Sequence, residues 1–331
     1  MFSFVTRAME NRTNNPIWVI LPIVLIFVFS CASTQQIQSK QGDAKFYVNK
    51  GKDYIDKGEF DKAISDFNKA IEIYPADEDA YEFRGLAYWK KREYNEAISD
   101  FTKALEINPR YNVAYLSRGV AYRDKGEFDK AISDFNKCIR INPRDESAYI
   151  VRGGTFERKG QYDQAISDYT RVLELNPRKY LMYIARGIAY EKKGEFDQAI
   201  ADFNKAIEID PKDMTAYKHR GLTYREKGQY DQAISDYTKA LEINPRDYTT
   251  YSHRGIAYYY KGQCDQAISD YNKALEINPS DDGAYYNRGV AYYSKQEYDR
   301  SWEDVKKVQG LGKTIPAEFL DKLRKASGRE R

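Results

Sequence analysis

A chain of 331 residues is long enough for two ordinary domains, but that prior gives way when a sequence repeats itself, as this one does. Lys+Arg of 53 against Asp+Glu of 50 leaves a net charge of +3, too weak a field to favour a polyanion, so nucleic acid is not an expected partner. Thirty Tyr and fifteen Phe in a chain of mean hydropathy −0.77 must pack between charged faces rather than in one continuous apolar run. Cys31, Cys138 and Cys264 have neither the pairing nor the spacing of a disulfide or metal framework. Cys138 and Cys264 read as packed thiols.

Residues 1–30 have the layout of a signal peptide or membrane anchor: Arg7 and Arg12 come first, then the mostly apolar Ile17–Ser30, which stops at Cys31. That run is shorter than the roughly 20 apolar residues of a spanning helix and contains Pro22. Val28-Phe29-Ser30-Cys31 resembles a bacterial lipobox. The resemblance implies a lipidated Cys31 as the mature N-terminus, a cell-envelope location facing the periplasm and, with Ala32 following, the outer membrane. Cleavage after Ala32 and an uncleaved anchor stay open as alternatives. Residues 31–43 are polar, and Ala32–Gly42 lacks helical periodicity, so this stretch is expected to be a tether.

From Ala44 the sequence is periodic. Pro75, Pro109, Pro143, Pro177, Pro211, Pro245 and Pro279 recur every 34 residues without a slip, the mark of one supersecondary unit copied without insertion. Ten residues after each comes a Gly, from Gly85 to Gly289, with Gly51 as the first copy, and four before each Gly stands a Tyr, from Tyr47 to Tyr285. In the copy beginning at Glu78, Tyr81, Gly85 and Tyr88 lie at helical spacing, and Ala97, Phe101 and Ala104 form a second stripe that ends at Asn108-Pro109. Two one-sided helices per repeat follow, neither able to bury its stripe without a neighbour. Lys-Gly-Glu/Gln-Phe/Tyr-Asp, as at Lys125–Asp129, supplies the turn between them. A cation precedes each Gly (Lys50, then Arg84 to Arg288), and an Asp follows it sixteen residues later (Asp66 to Asp304), so across an antiparallel pair these columns should meet.

These residues resemble the tetratricopeptide repeat in its Tyr-x-x-Arg-Gly variety, over Ala44 to about Ile315. The resemblance implies an all-α, right-handed superhelical solenoid of antiparallel helix pairs whose first helices line a concave peptide-binding groove. The units run 44–77, 78–111, 112–145, 146–179, 180–213, 214–247, 248–281 and a degenerate 282–315, where Ser301 and Val305 replace Ala and Phe. Residues 316–331 are expected to be a capping helix and tail.

Little catalytic chemistry is written here. His219 and His253 occupy equivalent positions of adjacent repeats, without a carboxylate or Cys beside them in ligand spacing, and read as groove-lining polar residues rather than metal ligands. No phosphate loop, nucleophile elbow or Cys–His pairing is present, so neither an enzyme nor a cofactor is expected. Some members of the family grip a carboxylate with recurring Lys, Asn and Arg. Here Lys218 is followed by Leu222 where Asn is needed, so that clamp is absent. The same column suggests a groove with an apolar strip at Leu116, Ile150 and Ile184, extended by Val113 and Leu181, with Lys218 as a further groove residue, and an aromatic floor at Tyr259, Tyr260, Tyr286 and Tyr293. The function expected is a protein-interaction scaffold at the bacterial envelope that binds proteins or peptides. A structural or assembly role using other surfaces, or tethering of a cell-wall enzyme, is the competing reading, and the oligomeric state is not written in the sequence.

Overall fold

The computed structural model describes residues 17–329, with side chains from Gln36 onward apart from Ile37. Among the described residues every regular element is a helix. The chain divides after Pro143 into two compact units. In the first, α1 (Ile17–Asp56) pairs with α2 (Phe60–Ile73), α3 (Glu78–Lys90) with α4 (Tyr94–Ile107), and α5 (Asn112–Asp124) with α6 (Phe128–Ile141). In the second the pairs are α7 (Glu146–Arg158) and α8 (Tyr162–Leu175), α9 (Tyr180–Lys193) and α10 (Phe196–Ile209), α11 (Met214–Glu226) and α12 (Tyr230–Ile243). They continue as α13 (Tyr248–Tyr260) and α14 (Cys264–Ile277), α15 (Asp282–Ser294) and α16 (Tyr298–Gly310), and the unit ends in α17 (Ala317–Ser327).

Local chemistry sets the ends of these helices. Asp77, Asp145, Asp213 and Asp281 each accept a hydrogen bond from the backbone N–H three residues on, capping α3, α7, α11 and α15. Between the members of a pair the turn needs one left-handed residue. Glycine supplies it at Gly126 (φ 86°) and Gly262 (φ 79°), whereas Arg92 (φ 65°) and Gln296 (φ 62°) hold the same conformation without glycine.

The cation and Asp columns meet as their spacing predicts. Arg84–Asp100, Arg118–Asp134, Arg152–Asp168, Arg186–Asp202, Arg220–Asp236, Arg254–Asp270 and Arg288–Asp304 each make two hydrogen bonds of 2.6–3.0 Å. Lys50 reaches Asp66 at 3.2 Å. Burial pushes the carboxyls of Asp100, Asp168, Asp236 and Asp304 upward while their arginines pull the other way. A third N–H crosses to the preceding repeat. Arg84 donates to Asn68, Arg118 to Thr102, Arg186 to Thr170, Arg220 to Asn204, Arg254 to Thr238 and Arg288 to Asn272.

One expectation needs correction. Residues 32–42 are not an irregular tether, because α1 runs unbroken through them to Asp56. Between Pro22 and Gly42 there is no helix breaker, and Gln35, Gln36, Gln38 and Lys40 propagate a helix once the packed stretch beginning at the buried Ala44 has nucleated it. Gln41 also donates to the hydroxyl of Tyr74 at 3.0 Å, so the packed body begins before the first repeat boundary.

The eighth pair departs in chemistry but not in architecture. Ser301 is buried in place of Ala and donates to the Gly289 carbonyl at 2.8 Å. The amphipathic α17 then closes the unit, Phe319 and Leu323 packing with Val305, Val308 and Ile315.

The recurrent Gly of each first helix faces the buried aromatic ring of the second, rather than only the small Ala beside it. A Cβ on Gly51, Gly85, Gly119, Gly153, Gly187, Gly221 or Gly255 would lie 2.4–2.8 Å from that ring, and the worst case is Gly119 against Phe135 at 2.4 Å. At Gly289 the ring is absent, and the nearest atom is the Asp304 Cβ at 3.3 Å. Gly119→Ala should therefore destabilise by about 1–3 kcal/mol through overpacking, even after about 1 kcal/mol of gained helix propensity. Gly289→Ala should be neutral or stabilising. Urea titrations of the two variants beside the parent check this, and equal stabilities would show that the ring yields.

Candidate functional site

The apolar strip does not lie in the groove as a continuous surface. Val113 and Leu181 are half exposed and Leu116 and Ile150 half buried, but Ile184 is only 5 % exposed. It packs with Ala199, Phe203 and Ala216, at a seam where its own pair meets the next first helix. Val48 and Glu82 in the same column are buried as well, so this position serves packing in part of the array. Burial pushes the Glu82 carboxyl up to about 7, although the Ser117 hydroxyl donates to it at 3.2 Å. Lys218 is committed to Asp247 at 3.1 Å and to the Thr249 hydroxyl, and does not stand free.

The two histidines sit on the aromatic rings of the preceding pair. His219 stacks on Phe203 with centroids 5.9 Å apart, its Nδ1 3.4 Å from Glu191, and His253 stacks on Tyr237 at 6.0 Å. Burial, with Arg225 and Lys218 nearby, holds His253 down to about 4, so its ring is neutral at pH 7. Among the described residues no group of three or more His, Cys, Asp or Glu is poised to hold a metal ion.

The aromatic floor is where the predicted residues converge. Tyr259, Tyr260 and Tyr286 line one cavity of about 800 Å³ in the second unit, together with Arg225, Glu226, Tyr230, Ile256, Tyr271, Asn287 and Val290. Tyr260, 62 % exposed, stacks almost parallel on Tyr230 at 5.6 Å, and Tyr259 meets Tyr260 nearly edge-on at 5.8 Å. Tyr293 does not join them. It packs against Phe319 of α17 at 5.7 Å and Tyr298 at 5.8 Å, and is part of the end cap rather than the groove. Tyr286 also meets Phe319, at 5.6 Å, so the cap packs against one of the residues that line the site.

A column substitution lies close in the chain to these tyrosines, although Cys264 itself does not line the cavity. The second helices begin with an aromatic residue at Phe60, Tyr94, Phe128, Tyr162, Phe196, Tyr230 and Tyr298, but Cys264 takes that place in α14. The ring that covers Tyr293 thus has no counterpart beside Tyr259, whose hydroxyl lies 3.2 Å from Ser294 instead. Sequence reading missed Arg225, Tyr230 and Tyr271. No spacing within one repeat marks them, since they come from two neighbouring repeats that meet at the cavity.

Cys31 lies outside the residues whose side chains are described, as do Arg7 and Arg12. Among the residues whose side chains are described no helix is long and apolar enough to cross a membrane, and Ile17–Ser30 falls outside that statement.

Comparison with known proteins agrees with the architecture. Family models described as TPR repeat match residues 51–92, 221–262 and 257–296, and models described as tetratricopeptide repeat match 78–111, 113–145, 146–179, 180–213 and 203–235. A C-terminal part of a TPR repeat-containing protein from Cytophaga hutchinsonii superposes with a TM-score of 0.61 at 23% identity, covering 72% of this chain and 98% of the other. A tetratricopeptide repeat protein from Parabacteroides merdae gives 0.55 at 22%, covering 75% and 98%. The Cut9–Hcn1 hetero-tetramer of the APC/C gives 0.54 at 22%, covering 81% and 52%. At these identities the likeness is one of fold. A comparison with curated proteins returns no match.

His253 offers a test of the buried floor. Its folded pKa of about 4 lies below the ordinary 6.5, so the unfolded chain takes up the proton first. Stability is kept above pH 6.5 and lost as pH falls through the window toward 4. Arg225, Lys218 and His219 oppose the charge, and Asp247 favours it. Phe83 stacks on Phe67 at the corresponding position of the second repeat, so Phe is compatible with the packing. His253→Phe should gain about 2 kcal/mol over the parent between pH 7.5 and pH 5. Denaturant melts at the two pH values measure the difference, and parallel curves would contradict it.

Proposed function

The chain belongs to the tetratricopeptide repeat family, and we propose that it is a non-catalytic interaction scaffold which takes a segment of a partner protein into the tyrosine-lined cavity. Repeats of this family bind protein or peptide partners and are generally scaffolds. The observation that carries the reading to this place is the convergence of Tyr230, Tyr259, Tyr260 and Tyr286 on one open cavity, with Tyr260 largely exposed. Tyrosine presents a large rigid ring with a polar tip, so partner contact adds buried area at low entropic cost. The scaffold acts at the bacterial envelope, held there by a lipid on Cys31 and facing the periplasm. Support for that part is the sequence alone, the apolar run that ends at Val28-Phe29-Ser30-Cys31.

Changing Tyr259 and Tyr260 together to Ser should abolish partner capture from detergent-solubilised envelopes and leave helical circular dichroism unchanged. Ile243, exposed on a second helix, serves as the control position, and Ile243→Ser should capture normally. The opposite pattern would move binding to the other face. For the anchor, intact mass of the membrane-extracted protein should correspond to a chain that starts at Cys31 and carries acyl groups. A mass for the whole chain, or for a start at Ser33 without lipid, would remove the lipid anchor.

A further inference from the structure

Within a repeat protein each column is its own control, and the column of Tyr271 contains both Phe and Tyr, the latter at Tyr169 and Tyr237 as well. The ring that packs under the recurrent Gly is Phe67, Phe101, Phe135 and Phe203 in four repeats, so packing there needs no hydroxyl. Tyr169 carries a hydroxyl and uses it, donating to Glu157 of its own pair at 3.0 Å. The residue corresponding to Glu157 in the repeat of Tyr271 is Tyr259, whose hydroxyl is turned to Ser294. Tyr271 is 1 % exposed, lines the cavity, and has no hydrogen-bond partner among the described residues. The Tyr237 hydroxyl one repeat earlier is fully buried and unpaired, whereas that of Tyr271 keeps some access to the cavity, where a ligand can reach it.

The cation of the same cavity is also under-used. Arg225 gives one N–H to Glu226 at 2.7 Å, and that glutamate is half exposed, which leaves the rest of the guanidinium fork for a ligand. Its charge reaches the cavity floor, since it pulls the phenols of Tyr237 and Tyr271 downward against the burial that raises them. Glu226, on the rim, is the one carboxylate among the lining residues.

We propose that the cavity selects an extended acidic peptide, seating a carboxylate between the Arg225 guanidinium and the Tyr271 hydroxyl while the adjoining residue packs on Tyr259 and Tyr260. The inference rests on the reading of the cavity as a peptide site and adds the charge of the ligand and the two groups that read it. The carboxylate accepts hydrogen bonds from both, and Glu226 keeps the single Arg225 N–H that it already holds. The Lys, Asn and Arg grip, absent at Lys218 and Leu222, is not involved.

The test uses the full chain in detergent and fluorescein-labelled peptides of alternating Glu-Tyr, Ser-Tyr and Lys-Tyr, read by fluorescence anisotropy. Glu-Tyr should bind about tenfold more tightly than Ser-Tyr, Lys-Tyr should bind worst, and added salt should narrow the gap. Arg225→Gln should equalise Glu-Tyr and Ser-Tyr. Tyr271→Phe should weaken Glu-Tyr by about tenfold while its melting temperature stays level or rises, because only an unpaired hydroxyl is lost. If Tyr271→Phe binds Glu-Tyr as the parent does, or if Lys-Tyr binds best, the acidic preference is overturned. Should Tyr260→Ser still abolish that binding, the cavity remains a peptide site with another ligand. If no peptide binds, or Tyr260→Ser has no effect on binding, the peptide reading of the cavity falls with it.

Discussion

One cation per repeat, Lys50 in the first and a guanidinium in the others, holds this architecture in register. The guanidinium lies on the first helix, forks onto the Asp of its own second helix and, as at Arg118, Arg186, Arg220 and Arg254, sends a further N–H to the second helix of the preceding repeat. The Tyr three residues before it covers one face of the guanidinium at 5.4–5.7 Å. Such partly buried pairs are poor sources of net stability, because desolvation offsets most of the attraction. Their contribution is geometric. Two helices that slide by one residue lose a bidentate pair and leave a charge unpaired, and that penalty is steep where the net gain is small. The unbroken 34-residue period follows, since an insertion between the Arg and the Asp would separate them in the same way.

With register fixed this way, the rest of each repeat divides into positions that must be kept and positions free to vary. The small Gly and the ring beneath it are tied by volume: where the ring is lost, at Val305, the Gly is no longer pressed. The first residue of the second helix is less constrained. It is aromatic in most pairs and Cys264 in one, which leaves Tyr259 without the covering ring that Tyr293 has. The guanidinium pairs on either side of the cavity, Arg220–Asp236 and Arg288–Asp304, are intact, so the array keeps its register through this departure.

This division explains what could be read from the sequence. Helix pairs, their boundaries and the Arg–Asp pairing follow from spacings within one repeat, and spacing is visible in a linear text. Tyr259, Tyr260 and Tyr286 were visible as an aromatic group for the same reason. Their partners were not. Tyr230 reaches Tyr260 from the preceding repeat, and whether two rings thirty residues apart stack depends on the lateral packing of α11 to α14. Ile184 was misplaced because its column is buried at Val48 and Glu82, half buried at Leu116 and Ile150, and polar at Lys218. Periodicity gives the face of a helix but not how closely the next helix approaches it. Helix α1 was misjudged on composition: polarity without an apolar stripe describes an exposed helix as well as a loop, and the packed residues after Ala44 decide between them.

The same periodicity lets folding and binding be told apart residue by residue. An ordinary globular core offers one example of each environment, so a substitution that abolishes function also confounds stability. Here the column of Tyr271 shows which residue packing alone accepts, because Phe occupies it in four other repeats. The column of His253 contains Phe83, stacked in the same manner on the ring of the repeat before. A polar residue can therefore be exchanged for one that its own column already accepts, so that a loss of binding is not confounded with a loss of fold. Both the Tyr237 hydroxyl and the His253 Nδ1 are buried without a hydrogen bond, though neither lines the cavity. Such atoms recur along the array, at Gln161, Gln229 and Gln263 as well, so they mark where stability has been given up without by themselves marking a site. What separates the two roles is a variant that carries the column's own alternative residue and is measured for folding and for binding alike.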